Sequence, residues 1–188
     1  MPALALGPRI RAERLAAGVS LRELARRLAV SPSLLSQIER GLAQPSVGTL
    51  WALVSELGFS LDSLFTTSSG AEPERAARVL RADARQAIEL DGGIRWEGLT
   101  SRPDPDVDFA YVTYAPGRGS AAGRPVAVHR GREYGFLVSG CLSIEVGDEV
   151  YQLRQGDTIV FESGTPHRFR AVGDEPARAV WWNLKSTG

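Results

Sequence analysis

The spacing of apolar residues changes part-way along the chain. Up to residue 65 they recur at helical intervals, and Gly18, Gly41 and Gly58 each stand where a helix would end, because glycine adopts the left-handed closing conformation without penalty. This pattern predicts that the first part of the chain is all-α. Its five predicted helices cover residues 4–17, 21–28, 32–40, 47–57 and 61–65.

Capping residues support these helix starts. Ser20-Leu-Arg-Glu23 has the form of a capping box, in which the serine accepts a hydrogen bond from a free backbone N–H and the glutamate reaches back to the serine. Ser31 precedes Pro32, so a capping serine stands before a proline in the first helical position. Ser60 is placed to cap the last short helix.

The second and third predicted helices have the spacing of a helix-turn-helix unit. One ends near Leu28 and the next begins at Pro32, and two short helices joined by about three residues are typical of that unit. The outward residues of the third helix are polar and rich in hydrogen-bonding groups, as an approach to base edges requires. They are Ser33, Ser36, Gln37 and Arg40. The alternative is an ordinary small helical bundle, which shows similar caps.

After residue 78 the pattern changes to short alternating runs separated by Gly, Pro and Asp, as in Leu142-Ser-Ile-Glu-Val146. Gly147-Asp148 lies between two such runs and predicts a hairpin. So many short strands are typical of a sandwich or a jelly-roll barrel. The predicted strands cover residues 78–82, 86–90, 94–99, 107–114, 125–129, 133–138, 142–147, 150–153, 158–161, 167–172 and 178–184.

Composition places the domain boundary. The segment Thr66–Pro73 is polar, small and aperiodic, which is typical of a linker. We therefore predict a helical domain at residues 1–65, a linker at 66–77 and a strand domain at 78–188.

Charge and cysteine content limit the function classes. The 22 basic residues balance 22 acidic ones, which excludes a uniformly basic coat for nucleic acid. Cys141 is the only cysteine, which excludes an internal disulfide framework and favours a reducing compartment. No apolar run approaches the roughly 18–20 residues of a membrane span, and the first residues lack the pattern of a secretory signal. We expect a cytoplasmic protein with no membrane partner.

Residues 7–65 resemble the lambda-repressor-like (XRE/Cro) DNA-binding domain. The likeness runs through Gly7–Arg14, Gly18–Ala25, Ser31–Gly41, Pro45-Ser46 and Thr49-Leu50. The resemblance implies that the third helix reads the major groove, with Ser33, Ser36 and Gln37 as base readers. Gln37 is the strongest of these, because its amide can bond an adenine edge bidentately. Phosphate contacts then fall to Ser20, Arg22, Ser31 and Arg40, and an Arg14–Glu39 pair clamps the first helix to the third.

Residues 123–170 resemble the cupin barrel. Glu133, six residues and then Gly140 match the end of its first motif, and His129 fills the second position of the preceding His-x-His, whereas Ala127 replaces the first histidine. Gly156–His167 matches the second motif. The resemblance implies a cluster of His129, Glu133 and His167, and two histidines with one carboxylate suit a divalent metal such as Fe, Ni, Zn or Mn.

Alternatives to a metal remain open because Ala127 stands in a ligand position. The cluster would then bind an organic effector directly, or it would be a vestigial site. Four aromatic residues lie near the predicted pocket, and one or two of them are expected to line it while the rest join the core. They are Tyr111, Tyr114, Phe136 and Trp182.

The combination of the two domains resembles the bacterial helix-turn-helix/cupin transcriptional regulators. It implies a sequence-specific DNA-binding protein, not an enzyme, whose cupin domain senses a small-molecule effector. A symmetric homodimer, or a higher homo-oligomer, would bind a near-palindromic site in double-stranded DNA with half-sites about 10 bp apart or a multiple of it. The alternative is a mononuclear non-haem iron enzyme resembling hydroxypropylphosphonate epoxidase, which shares the two-domain arrangement and the His, Glu, His triad. Against it, residues 31–41 keep a recognition helix that an enzyme would not need.

Overall fold

The computed structural model describes residues 4–65, 78–119 and 126–185. The predicted linker at residues 66–77 lies outside these ranges. Within them, no helix is both long enough and apolar enough to span a membrane.

Residues 4–65 form four α-helices and one short 3₁₀ helix. The helices are α1 (Leu6–Ala16), α2 (Leu21–Arg27), α3 (Pro32–Glu39) and α4 (Val47–Leu57), and the 3₁₀ helix covers Leu61–Phe65. The prediction of a fifth helix at 61–65 is corrected to this single 3₁₀ segment. Five residues are too few for a ladder of α-helical hydrogen bonds, and the Ser63 N–H bonds to the Ser60 carbonyl three residues back.

Serine caps begin three of the α-helices. The hydroxyl groups of Ser20, Ser31 and Ser46 each accept a hydrogen bond from the backbone N–H three residues ahead, at 3.2, 3.1 and 3.1 Å. The capping box at Ser20 is only half formed, because the Glu23 carboxylate accepts hydrogen bonds from Arg26 and Arg27 instead of reaching back. At the start of the 3₁₀ helix, the Ser60 carbonyl accepts from the Ser63 N–H and the Ser60 hydroxyl accepts from Lys185 Nζ.

Among the described residues nine strands follow, all paired antiparallel, in two sheets. The larger sheet has the order β1-β2-β3-β9-β4-β7 and the smaller one β6-β5-β8. The strands are β1 (Ala87–Leu90), β2 (Ile94–Gly98), β3 (Val107–Tyr114), β4 (Arg132–Ser139), β5 (Cys141–Val146), β6 (Glu149–Arg154), β7 (Thr158–Glu162), β8 (His167–Ala171) and β9 (Ala177–Leu184).

Two of the predicted strands are wrong. Residues 78–82 form no strand and lead into a 3₁₀ helix at Ala82–Ala84; Val79 is 58% exposed and has no sheet to pack against. Of residues 126–129, only Ala127 pairs, in an isolated bridge to His167. The predicted hairpin at Gly147-Asp148 is confirmed, because β5 and β6 pair up to Val146 and Glu149 on either side of it. Gly147 has φ +60°, which a two-residue hairpin turn needs at its first position.

Two apolar cores hold the molecule together, and α4 contributes to both. The helical core contains Leu53 of α4. The core of the strand domain contains Leu50 and Trp51 of the same helix, together with Phe65 of the 3₁₀ helix. Phe65 packs so closely on β2 that a Cβ added at Gly98 would lie 2.7 Å from its ring. The two parts of the chain therefore pack directly against each other.

Candidate DNA-binding surface and metal centre

Helix α3 buries one side and exposes the other. Leu35 and Ile38 are buried in the helical core, at 0% and 1% exposure. On the opposite side Ser33, Gln37 and Arg40 are exposed. Ser36, the remaining predicted base reader, is half-buried. The strand domain does not cover this outward face, so the surface predicted to enter a major groove is accessible.

The residues predicted to contact phosphates surround that face. Ser20 and Ser31 are exposed and cap α2 and α3, so each stands beside the N–H groups that begin a helix. Arg22 is exposed, and within the described part of the chain it forms no ion pair. Arg26 differs, because both of its contacts go to the Glu23 carboxylate. Arg22 and Arg40 are therefore the cations of this surface that are available to a phosphate.

A buried ion pair fixes α3 to α1. Arg14 donates from Nε to Glu39 Oε1 at 2.6 Å and from Nη2 to Oε2 at 2.9 Å. Its third nitrogen donates to the Val19 carbonyl at 2.8 Å. The hydrogen bonds to Glu39 raise the pKa of Arg14 more than burial lowers it, so it stays charged. The pair has the position and the structural role that the family resemblance implies.

His129, Glu133 and His167 converge at one point inside the strand domain. His129 lies just before β4, Glu133 is on β4, and His167 begins β8 of the other sheet. Glu133 Oε1 lies 2.7 Å from His129 Nε2 and 3.2 Å from His167 Nε2. One potential ligand atom of each residue lies within 4.8 Å of the other two, and all three side chains are buried.

The opposite ring nitrogens decide what the cluster can do. His129 Nδ1 lies 3.3 Å from the Arg130 carbonyl and His167 Nδ1 lies 2.8 Å from the Thr165 carbonyl. A carbonyl only accepts, so each Nδ1 carries the proton, and each Nε2 of a neutral ring presents a lone pair. In the described part of the chain neither Nε2 atom makes a well-directed hydrogen bond, although Glu133 Oε1 lies close to both. With both rings neutral, two lone pairs would face the Glu133 carboxylate in a buried space.

Glu133 adds the negative charge. Burial raises the pKa of Glu133, but the two histidines beside it outweigh burial and lower the pKa to about 2. The group is therefore a carboxylate, and two imidazole Nε2 atoms lie within 3.2 Å of its Oε1 in a buried space. A cation is the chemical species that satisfies such a set, and two imidazoles with one carboxylate match the preferences of divalent transition metals. The residues present fit a metal.

A small cavity adjoins the cluster. Its volume is about 30 Å³, which is room for about two water molecules. Its walls are mostly apolar, with Glu133 as one of few polar groups. The aromatic lining residues are Trp51, Trp96, Tyr114, Phe169 and Trp181, and the polar ones are Asp108, Glu133 and Asn183.

Only one of the four aromatic residues predicted for the pocket, Tyr114, lines this cavity. Burial raises the pKa of its phenol, so Tyr114 is neutral. The other three belong to the outward side of their strands and correct that expectation. Phe136 is 38% exposed, Trp182 stacks on Phe109 at 5.0 Å between ring centroids, and Tyr111 lies under the guanidinium of Arg85.

Comparison with known proteins agrees with both domains. The helix-turn-helix family model matches residues 10–64 and the cupin domain model matches residues 110–183. The HTH-type transcriptional regulator PuuR of Escherichia coli is 27% identical over 168 residues, which cover 88% of this chain and 87% of PuuR. This chain is an XRE-type helix-turn-helix regulator with a C-terminal cupin domain. An uncharacterized HTH-type regulator of Mycobacterium tuberculosis, MT0491, is 39% identical over 88 residues, covering 47% of this chain and 59% of that protein.

Solved structures show the same fold as this regulator. An HTH_3 family transcriptional regulator from Vibrio cholerae superposes with a TM-score of 0.66 at 22% identity, over 97% of this chain and 96% of that one. A substrate complex of iron(II) hydroxypropylphosphonic acid epoxidase reaches 0.50 at 19% identity, over 98% and 100%. That likeness is one of fold alone. The helix-turn-helix model and the regulators matched along most of their length indicate a transcriptional regulator rather than an enzyme.

The cupin domain departs from its family pattern at Ala127. This residue is 3% exposed and bridges the backbone of His167, whose N–H donates to the Ala127 carbonyl at 3.2 Å. The chain therefore offers three ligands where the family motif has four, and a metal here would keep positions for water or an effector.

Sequence reasoning missed four of the five aromatic residues that line the cavity. Alternation from His167 along β8 points to Phe169, and alternation along β9 separates Trp181 from Trp182, so both could have been found. Trp96 alternates in the same way with Ile94 on β2. Trp51 had no such signal, because it belongs to a helix of the other domain.

Proposed function

We propose that this regulator binds DNA sequence-specifically through α3 and that its cupin domain senses a small-molecule effector. The observation that carries the first part is the uncovered polar side of α3, formed by Ser33, Gln37 and Arg40. Its length suits the base edges of a few base pairs in a major groove. The buried Arg14–Glu39 pair holds this side at a fixed angle to α1.

The active species is proposed to be a homodimer in the cytoplasm. The net charge of the chain is zero, so one helix-turn-helix domain gains little from long-range attraction to DNA. Two copies double the number of base and phosphate contacts. A two-fold axis then requires a near-palindromic site, with half-sites about 10 bp apart or a multiple of that distance.

The sensing site is proposed to hold a divalent metal, Fe, Ni, Zn or Mn, on His129, Glu133 and His167. Supporting this are the convergence of one ligand atom from each of the three buried side chains and the ionised Glu133 between the two histidines. A bound metal would supply a Lewis-acidic position for an oxygen or nitrogen atom of an effector. The chain supplies the rest: the Arg130 and Thr165 carbonyls orient the imidazoles, and apolar side chains form most of the cavity wall.

A selection experiment tests the DNA-binding part. Full-length protein is used to select sequences from a random duplex library, and the selected and random duplexes are then compared for affinity. Gln37→Ala is expected to lose about 1–3 kcal/mol on selected DNA and much less on random DNA.

Arg22→Ala is the matched control from the phosphate-contacting set. It is expected to weaken both duplexes equally and to reduce the slope of log K against log salt by about one. Equal losses of affinity for both duplexes in Gln37→Ala would exclude Gln37 as a base reader. A failure of the wild type to enrich any sequence would contradict the proposed DNA-binding function.

A further inference from the structure

Trp51 covers a face of a candidate metal ligand. Its indole stacks on the His129 imidazole with ring centroids 3.6 Å apart and planes at 13°. The indole also meets Trp96 edge-on at 6.1 Å and is 6% exposed. Stacking occupies the flat face of the imidazole and leaves the Nε2 edge directed at Glu133. Trp51 therefore fixes the plane in which His129 offers its lone pair.

Trp51 belongs to the helix-turn-helix domain. Its helix, α4, packs Leu53 into the helical core beside Leu35 and Ile38 of α3. One turn away, Leu50 and Trp51 pack into the core of the cupin domain. The recognition helix α3 and the helix that carries Trp51 therefore share one apolar core.

Among the described lining residues, those of helix α4 are the ones that do not belong to a β-sheet. Among the described lining residues, Val47 and Trp51 are on α4, and all the others lie on β-strands. The cavity has room for about two water molecules, so a larger molecule enters only if a wall moves. The strands are tied by ladder hydrogen bonds, and α4 is held by side-chain packing.

A polar link lies beside the same contact. Lys185 Nζ lies 2.9 Å from Oδ1 of the buried Asp108 and donates to Ser60 Oγ at 3.2 Å. Ser60 lies between α4 and the 3₁₀ helix, and Asp108 lines the cavity. A charge in the cavity wall is therefore connected to the segment that follows α4.

We propose that Trp51 is a positioning residue of the metal centre and that metal binding at His129 is coupled to the packing of α4 against the cupin domain. The inference rests on the proposed metal site. Coordination draws electron density from the imidazole, which strengthens its stacking on the electron-rich indole. Because coupling is reciprocal, the free energy by which bound metal stabilises the packing of α4 against the cupin domain equals the free energy by which that packing stabilises bound metal. Occupancy of the cupin site thereby changes the position of the recognition helix.

Ni²⁺ titration of the full chain tests the coupling, followed by calorimetry and by tryptophan fluorescence. Trp51→Leu keeps an apolar side chain but removes the stack, and is expected to weaken Ni²⁺ binding about 5- to 10-fold. Trp51→Phe keeps an aromatic face and is expected to restore most of the affinity. Trp182→Leu is the matched control, because this half-buried tryptophan stacks on Phe109 outside the cavity. It should bind Ni²⁺ as the wild type does.

Quenching provides a spectroscopic test that Ni²⁺ binds beside Trp51. Ni²⁺ quenches nearby indoles, so the quenching amplitude should fall in Trp51→Phe more than in Trp182→Leu. The change in affinity for selected DNA on adding Ni²⁺ should also be smaller in Trp51→Leu than in the wild type.

A second variant moves α4 without touching the metal ligands. Gly98→Val places side-chain atoms against Phe65, which is 2.7 Å from a Cβ at that position, and should weaken Ni²⁺ binding. Gly164→Ala is its control, because a Cβ there meets nothing within 4 Å. Unchanged Ni²⁺ affinity in both Trp51→Leu and Gly98→Val would overturn the inference and leave the proposed function intact. A wild type that does not bind Ni²⁺ would overturn the inference together with the proposed metal site, whereas DNA selection tests the DNA-binding function separately.

Discussion

The Arg14–Glu39 pair provides a stability prediction that also concerns DNA binding. Both side chains are buried, at 6% and 5% exposure. The guanidinium makes two hydrogen bonds to the carboxylate, at 2.6 and 2.9 Å, and one to the Val19 carbonyl at 2.8 Å. Arg14→Met or Glu39→Leu alone leaves the remaining charge buried without its partner. Each single change is expected to lower the free energy of unfolding by about 3–5 kcal/mol.

The double variant separates this effect from simple loss of packing. Arg14→Met with Glu39→Leu removes both charges and fills the space with apolar atoms, which in buried pairs is often neutral. The Val19 carbonyl still loses its donor, at a cost of about 1 kcal/mol. We therefore expect the free energy of unfolding of the double variant to lie within about 1 kcal/mol of the wild-type value. Its loss of stability would then be far smaller than the sum of the two single losses.

Urea unfolding followed by helical circular dichroism measures the cycle. Removing the exposed Arg132–Glu162 pair is the control, and it should leave the unfolding free energy unchanged because water solvates both groups. Each single variant should also bind selected DNA more weakly, since Glu39 is on α3. A double variant that loses as much as the two single variants together would refute the reasoning, because the charges would then not be coupled.

Two further predictions concern packing and metal. Gly7→Ala is expected to destabilise the fold by about 1–3 kcal/mol in urea unfolding, because a Cβ there would lie 2.3 Å from the Ile38 carbonyl oxygen; a stability equal to that of Gly164→Ala would contradict it. Stripping metal with a chelator should lower the melting temperature. Ni²⁺ at 100 times its Kd should add about 2.7 kcal/mol to the wild type and nothing to Glu133→Gln, and equal stabilisation of both proteins would exclude Glu133 as a ligand.

Local patterns were sufficient for most of the secondary structure. The alternation of buried and half-buried residues along β3 and the glycine turn before Glu149 are properties of short segments, so they can be read without tertiary information. The prediction of a strand at 78–82 was wrong because this briefly alternating segment has no neighbouring strand to pair with. The prediction of an α-helix at 61–65 was wrong in helix type because a single turn does not distinguish 3₁₀ from α geometry.

The candidate metal ligands could be located because motif spacing fixes them relative to glycine and proline turns. The cavity walls could not be located in the same way. Neighbouring aromatic residues such as Trp181 and Trp182 point to opposite sides of a strand, and a choice between them needs the strand's register. The place of Trp51 in the cavity wall could not be predicted from strand alternation, because Trp51 is on a helix. Its helical period places it on an apolar side of α4, but only the packing of two domains shows what covers that side.

The size of the shared contact limits how an effector can act. Complete separation of the domains would expose seven apolar side chains that are now buried, which would cost roughly 10–20 kcal/mol at the usual value for each. An effector supplies about 1–3 kcal/mol of coupling, so it cannot drive that separation. It can shift α4 within the contact, and a shift of α4 carries α3 with it through Leu53. We therefore expect effector and metal to change the angle between the recognition helices of a dimer while the two domains stay in contact. The seven side chains are Val47, Leu50, Trp51, Val54, Leu61, Leu64 and Phe65.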